Sequence, residues 1–140
     1  MKIRNPSLIL SIFLCLSLFG GGTAAQSYVP TPFDNAIFFD YESIIVKPKY
    51  DNTIKAHAEF LIANPKAKVS IEGHTEARGG HEYNLSLAQK RTKAVTILLL
   101  RLNVSESQFE AVSFGSTKPA AEGDDEAAFE KNRRVEFFYR

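Results

Sequence analysis

Cysteine is all but missing from this chain: one thiol, Cys15, occurs in 140 residues, which excludes an intramolecular disulfide and any multi-cysteine metal site. An excess of one charge is missing too. Seventeen basic side chains face sixteen acidic ones, a formal balance of +1, so a strongly basic nucleic-acid-binding surface is excluded and no nucleic-acid partner is expected. Glycine and proline are sparse at 8 and 6, which argues against a collagen-like or disordered chain. No internal repeat, no G-x-S-x-G elbow and no G-x-x-x-x-G-K loop is present. What is there is globular in character, 44% hydrophobic and 24% charged, and the length suits one domain.

The averages conceal two unlike segments. No charge occurs over residues 5–33, and residues 8–19 are almost wholly apolar. Lys2 and Arg4 precede that run, and Gly20-Gly21-Gly22-Thr23-Ala24-Ala25 follows it. A basic start, an apolar core and a small-residue exit describe a secretory signal over residues 1–25. The apolar run is shorter than the ~18 residues of a spanning helix. Cys15 lacks a small residue before it, since Leu14 stands there, so lipidation at that thiol is not expected. Membrane association is expected only if Cys15 is lipidated or the signal stays uncleaved. Cleavage removes two bases and no acid, which turns the balance slightly acidic.

Residues 26–35, with Pro30 and Pro32, read as an extended lead-in to a domain over 36–140. The β-branched and aromatic run 35–39 predicts a first strand. Pro48 opens a helical pattern with Ile54, Ala58, Leu61 and Ile62 on one face, closed at Asn64-Pro65. Residues 68–72 alternate as a strand, and a polar loop is expected over 73–82. A strong helix then runs to about Leu102. Residues 106–114 contain a third strand with Val112 and Phe114 on one face. A short helix is expected over 126–131. Arg134 to Tyr139 form the last strand, with Val135, Phe137 and Tyr139 on one side. Strands alternating with helices predict a two-layer α/β (α+β) sandwich: about four strands in a mixed sheet, with two long helices on one face.

The long helix is the informative element. Leu87, Arg91, Ala94, Val95, Leu98 and Leu102 share a face, which puts Arg91 on the stripe that packs against the sheet. Asn84 lies two turns earlier on that face. A guanidinium drawn toward a core needs an anionic partner. Two partners are open: an internal carboxylate such as Glu76, or a ligand carboxylate met by the planar two-donor fork of arginine. If Glu76 and Arg91 flank one pocket, a zwitterionic amino-acid end would find one opposite charge for each of its groups.

Residues 73–87, Gly-His-Thr-Glu-Ala-Arg-Gly-Gly-His-Glu-Tyr-Asn-Leu-Ser-Leu, resemble the G-H-A-D-E-R-G-x-x-E-Y-N-x-S-L signature of peptidoglycan-associated lipoproteins, within the wider OmpA-like C-terminal domains. The likeness continues through Arg91, Val95, Ser113-Phe114-Gly115, Lys118-Pro119 and Asn132-Arg133-Arg134-Val135-Glu136. Upstream, Ile37-Phe38-Phe39-Asp40 is similar to the family's first strand, and His57-Ala58-Glu59-Phe60-Leu61 to its first helix. The resemblance implies non-covalent binding of diaminopimelate in peptidoglycan stem peptides, with Glu76 taking the ammonium and Arg91 the carboxylate. It places Asn84, Asp40, Arg78 and Arg133 at or near the same pocket. Asn84 would cap the long helix, with Ser86 and Gln89 as a competing capping box.

Two positions depart from the signature: Glu76 is one methylene longer than the family's aspartate, and Ala77 replaces a glutamate. Losing one charge-assisted hydrogen bond there would cost roughly 1.5–3 kcal/mol. The other polar residues carry less. Asp40 and Arg133 also read as surface or structural groups, and Arg78 as a brace for its loop. His74 and His81 flank Glu76 without a zinc-ligand spacing or a third strong ligand, so no metal and no cofactor is expected. Glu76 and Glu82 share a loop, and a glycan hydrolase also uses paired carboxylates, but binding accounts for the same loop, and no enzyme is expected. The expected setting is the periplasm, associated with the outer membrane, with peptidoglycan as partner. The alternative is an interaction module for periplasmic Tol-system proteins.

Overall fold

In the computed structural model, which describes residues 34–140, the alternating run Arg134–Tyr139 is the strand on which the sheet is organised. The signal expected over 1–25, Cys15 and nearly all of the lead-in lie outside the described residues. Four strands form: β1 (Ala36–Phe38), β2 (Val69–His74), β3 (Phe109–Gly115) and β4 (Arg134–Tyr139). Their order is β1-β4-β2-β3. β4 is antiparallel to both neighbours, and β2 and β3 are parallel, so the sheet is mixed. Among the described residues three α-helices complete the fold: α1 (Asp51–Ala63) behind a 3-10 turn at Pro48–Tyr50, α2 (His81–Arg101) and α3 (Glu126–Asn132). The two-layer α/β architecture expected from the pattern is the one observed.

Alternation decides which strand residues enter the core. Val135, Phe137 and Tyr139 of β4 are buried, with Ile37 of β1 and Val69 and Ile71 of β2 beside them. Ile54, Ala58 and Leu61 of α1 and Val95 and Leu99 of α2 close over them. Each such apolar side chain contributes roughly 1.5–3 kcal/mol on burial. His57 belongs to the same α1 face and was not legible as a core residue. Its ring stacks on Phe137 at 3.8 Å, with Nδ1 2.7 Å from the Tyr139 hydroxyl and Nε2 2.9 Å from the Asp34 carbonyl. That last contact ties the chain's entry into the domain to the core.

Several boundaries and faces differ from expectation. Ile62 is exposed, because α1 buries Ile54, His57, Ala58 and Leu61, and Leu102 is exposed, because the buried face of α2 runs through Asn84, Ala88, Arg91, Thr92, Val95, Thr96 and Leu99. The rotation follows from a close approach: a Cβ on Gly73 would meet the Ala88 carbonyl oxygen at 2.5 Å and the Thr92 methyl at 2.7 Å. Small residues on α2 and none on Gly73 let helix and strand touch. For the same reason β2 continues through Gly73 and His74, which the glycine had suggested were loop. α2 begins at His81 with Gly80 at its N-cap, so neither Asn84 nor Ser86 caps it. Asp125 does cap α3, accepting from the Ala128 amide at 2.9 Å. Among the described residues no helix is long and apolar enough to cross a membrane.

Candidate functional site

The site assembles where the β2–α2 connection, the loop after β1 and the start of β4 converge. Arg91 projects from α2 and is wholly buried. Its partners are not carboxylates. Nε donates to the Ser43 carbonyl (2.9 Å), Nη1 to the His74 carbonyl (3.0 Å) and Nη2 to the Asp40 carbonyl (3.2 Å). The internal ion pair with Glu76 left open by the sequence is therefore not formed. Glu42 adopts a left-handed conformation (φ 53°), turning the 40–43 loop so that two of these carbonyls face the guanidinium. The Phe39 ring lies 5.1 Å beneath it. Burial foremost, with the charge of Arg133 second, brings the guanidinium down to about 10. It stays cationic at neutral pH: three carbonyls surround it, and the charge of Glu76 acts on it from beyond ion-pair distance.

Glu76 is buried and pairs with two other arginines. Arg78 Nε donates to Oε1, and Arg133 Nη1 to Oε2 at 2.8 Å. Burial alone would raise this carboxyl, but the hydrogen bonds and charges of Arg78 and Arg133 outweigh it and hold it below its ordinary value. Arg133 is buried too, and serves as the hub: Nε donates to the Phe39 carbonyl (3.0 Å) and Nη2 to Glu126 (2.9 Å). Arg78 stacks between Tyr41 and Phe129, 4.6 and 4.4 Å from their ring centroids. Asn84 sits in the first turns of α2 and donates to the Arg78 carbonyl at 3.2 Å. It holds the loop, through Gly79 at a φ of +98° that favours glycine.

A small cleft of about 40 Å³ opens here, lined by Glu76, Arg78, Asn84, Arg91 and Arg133. Five of the six site residues named from the sequence thus come together. The sixth, Asp40, contributes only its carbonyl. Its side chain turns outward to Lys47 (2.6 Å), whose hydrogen bond holds the carboxyl below its usual range. Tyr41, Glu42 and Tyr83 also line the cleft and were missed, as was Glu126 behind the arginines. Tyr83 lies within the 73–87 signature, one residue before Asn84, and could have been read from it; no spacing rule joins the others to the motif, because Tyr41 and Glu42 reach it through the turn after β1 and Glu126 from the first residue of α3.

The histidines stand apart from this chemistry. His81 is exposed, while the His74 ring is buried against Phe114. Burial foremost, then the charges of Arg134 and Lys118, brings His74 down to about 4. Among the described residues no three His, Cys, Asp or Glu side chains gather as a metal site. Glu82 is exposed on α2, and Glu76 is held ionised, the opposite of what a proton-donating carboxyl in a glycan hydrolase requires.

Known proteins are similar to this chain in sequence and fold. Residues 38–133 match the OmpA family. A peptidoglycan-associated lipoprotein of Legionella pneumophila is 39% identical over 122 residues, covering 86% of this chain and 69% of that protein. Another, from Buchnera aphidicola, is 40% identical over 106 residues, and the chain spans 61% of its length. The crystal structure of the peptidoglycan-associated lipoprotein from Burkholderia pseudomallei superposes with a TM-score of 0.75 at 41% identity, covering 76% of this chain and 91% of that one. With sequence and fold agreeing over most of the described residues, the chain belongs to the OmpA family, among the relatives of the peptidoglycan-associated lipoproteins.

Proposed function

We propose that the protein binds peptidoglycan non-covalently through the diaminopimelate of the stem peptide, and so tethers or organises the envelope from the periplasm beside the outer membrane. The observation that carries this is the shared cleft: Glu76 and a wholly buried, cationic Arg91, which forms no ion pair among the described residues, line the same opening. An amino-acid end brings both charges the cleft calls for. Its carboxylate adds the anion that Arg91 lacks, with Arg78 alongside. Its ammonium meets Glu76, whose oxygens each accept one arginine bond and keep a further lone pair. The relatives named peptidoglycan-associated lipoproteins support peptidoglycan as the partner. The role is binding, with no catalytic step and no cofactor.

Co-sedimentation with purified diaminopimelate-type sacculi tests this. The protein should pellet with them and be released by free meso-diaminopimelate. Lysine-type sacculi keep the ammonium but lack the distal carboxylate, and should retain it less. Equal retention on both wall types sinks the diaminopimelate reading. No retention on either, with capture of envelope proteins after the wall is digested away, would instead favour the Tol-type interaction module. The export signal over 1–25 belongs to the same proposal. Mass analysis of the mature chain should find Gln26 first, and a diacylglycerol on Cys15 would replace this reading with a lipid anchor.

A further inference from the structure

Arg133 lines two clefts. The second, which Glu76 does not line, is wider, about 390 Å³, within the size range of ligand sites. Its charged lining is Lys47, Lys49, Lys131 and Arg133 against Asp40 and Glu130. Asp40 is already taken by Lys47. Among the described residues no carboxylate comes within ion-pair distance of Lys49 or Lys131. Lys49 rests on the Tyr50 ring, 5.0 Å from its centroid, which fixes where its ammonium stands. A concave surface with an excess of one sign focuses the field on its opening. The wider cleft therefore selects an anion, and it adjoins the narrow one through a single arginine held on three sides.

We infer that this second cleft receives the free α-carboxylate of the γ-linked D-glutamate that precedes diaminopimelate in the stem peptide, with Lys49 and Lys131 as its contacts. The inference rests on the diaminopimelate reading above. The γ-linkage uses the side-chain carboxyl and leaves the α-carboxylate charged, one residue away from the group proposed for the narrow cleft. One residue of chain spans about 3.5 Å, and the extra methylenes of a γ-linkage lengthen that reach enough to pass a guanidinium. The small cleft alone would read only an amino-acid end. The pair would read an acidic peptide in one direction.

Isothermal titration of the mature chain with three ligands separates the two claims: free meso-diaminopimelate, L-alanyl-γ-D-glutamyl-meso-diaminopimelate, and the same tripeptide with the glutamate α-carboxyl amidated. The acidic tripeptide should bind roughly three- to tenfold tighter than the amidated one, the range for a carboxylate between exposed lysines. Lys49→Gln with Lys131→Gln should erase that difference, and Lys49→Glu with Lys131→Glu should invert it. Both double variants should bind free diaminopimelate as the parent does. If all three ligands bind but amidation has no effect, or if the lysine variants weaken both tripeptides equally, the second cleft is not a carboxylate subsite and the diaminopimelate reading stands. If none binds, the reading beneath it falls, and the subsite with it.

Discussion

Replacing Arg91 with methionine keeps most of the side-chain length and removes every donor. Three carbonyls lose their partner. That of His74 is in a fully buried bond, while those of Ser43 and Asp40 are partly open to water. Hydrogen bonds from a charged group contribute ~1.5–3 kcal/mol, and solvent recovers part of the two outer ones, so the gross loss is about 4–6 kcal/mol. Against this, methionine no longer buries a charge. The fall of the guanidinium to about 10 corresponds to roughly 3 kcal/mol against its charged form. The net is a destabilisation of about 1–3 kcal/mol. For a domain of this size, with a urea slope of ~1.3 kcal/mol/M, the unfolding midpoint should fall by roughly 1–2 M. The variant should remain folded at room temperature and yet fail to pellet with diaminopimelate-type sacculi. An unchanged midpoint would show that the carbonyl cage contributes nothing. A folded variant that pellets like the parent would refute Arg91 as the receptor for the ligand's carboxylate. Arg91→Lys keeps the charge but cannot span three carbonyls, so it should retain more binding than stability.

Three other expectations follow from the same geometry. Glu76→Asp is too short to hold Arg78 and Arg133 together, so an arginine is freed toward the ligand; binding to sacculi should tighten by roughly tenfold, about 1.4 kcal/mol, and an unchanged affinity would show that the longer carboxylate costs nothing. His57 and His74 are both pulled by burial from an ordinary 6.5 to about 4. Between those values the unfolded chain binds more protons, so stability is full above about pH 6.5 and falls by up to ~3 kcal/mol per histidine toward pH 4. His74→Phe keeps a ring on Phe114, removes two ring nitrogens without hydrogen-bond partners, and should flatten part of that slope in urea titrations from pH 4 to 7; an unaltered slope rules His74 out as a source. Gly73→Ala drives a methyl into the α2 backbone and should cost about 1–3 kcal/mol, read as a lower thermal midpoint.

What sequence pattern could supply was periodic. The last strand was legible because Val135, Phe137 and Tyr139 alternate, and the two long helices because their apolar stripes recur at helical spacing. Errors arose where one residue served two purposes. Gly73 reads as a turn, yet it is the place where strand and helix touch. Asn84 reads as a cap, yet its amide holds the loop from inside the helix. The site was legible as a set of charges and not as a set of pairings. A buried Arg91 demanded compensation, but sequence offers no count of main-chain carbonyls, so Glu76 was an obvious partner. That Glu76 would instead be shared by Arg78 and Arg133 depends on the path of β4, which begins immediately after Arg133.

The antiparallel pairing of β1 with β4 also has a mechanical meaning. The chain enters at Asp34, held by His57, and runs along β4 until Phe39 donates to the Arg133 carbonyl at 2.8 Å, beside the cleft. Entry and cleft therefore lie at opposite ends of one short strand. A pull on Asp34 resisted by a ligand at the cleft acts along β1, at right angles to its ladder hydrogen bonds. Those bonds then bear the force together in shear, where a pull across the strand would peel them apart one by one. A three-residue strand, too short to add much to equilibrium stability, is oriented to resist tension.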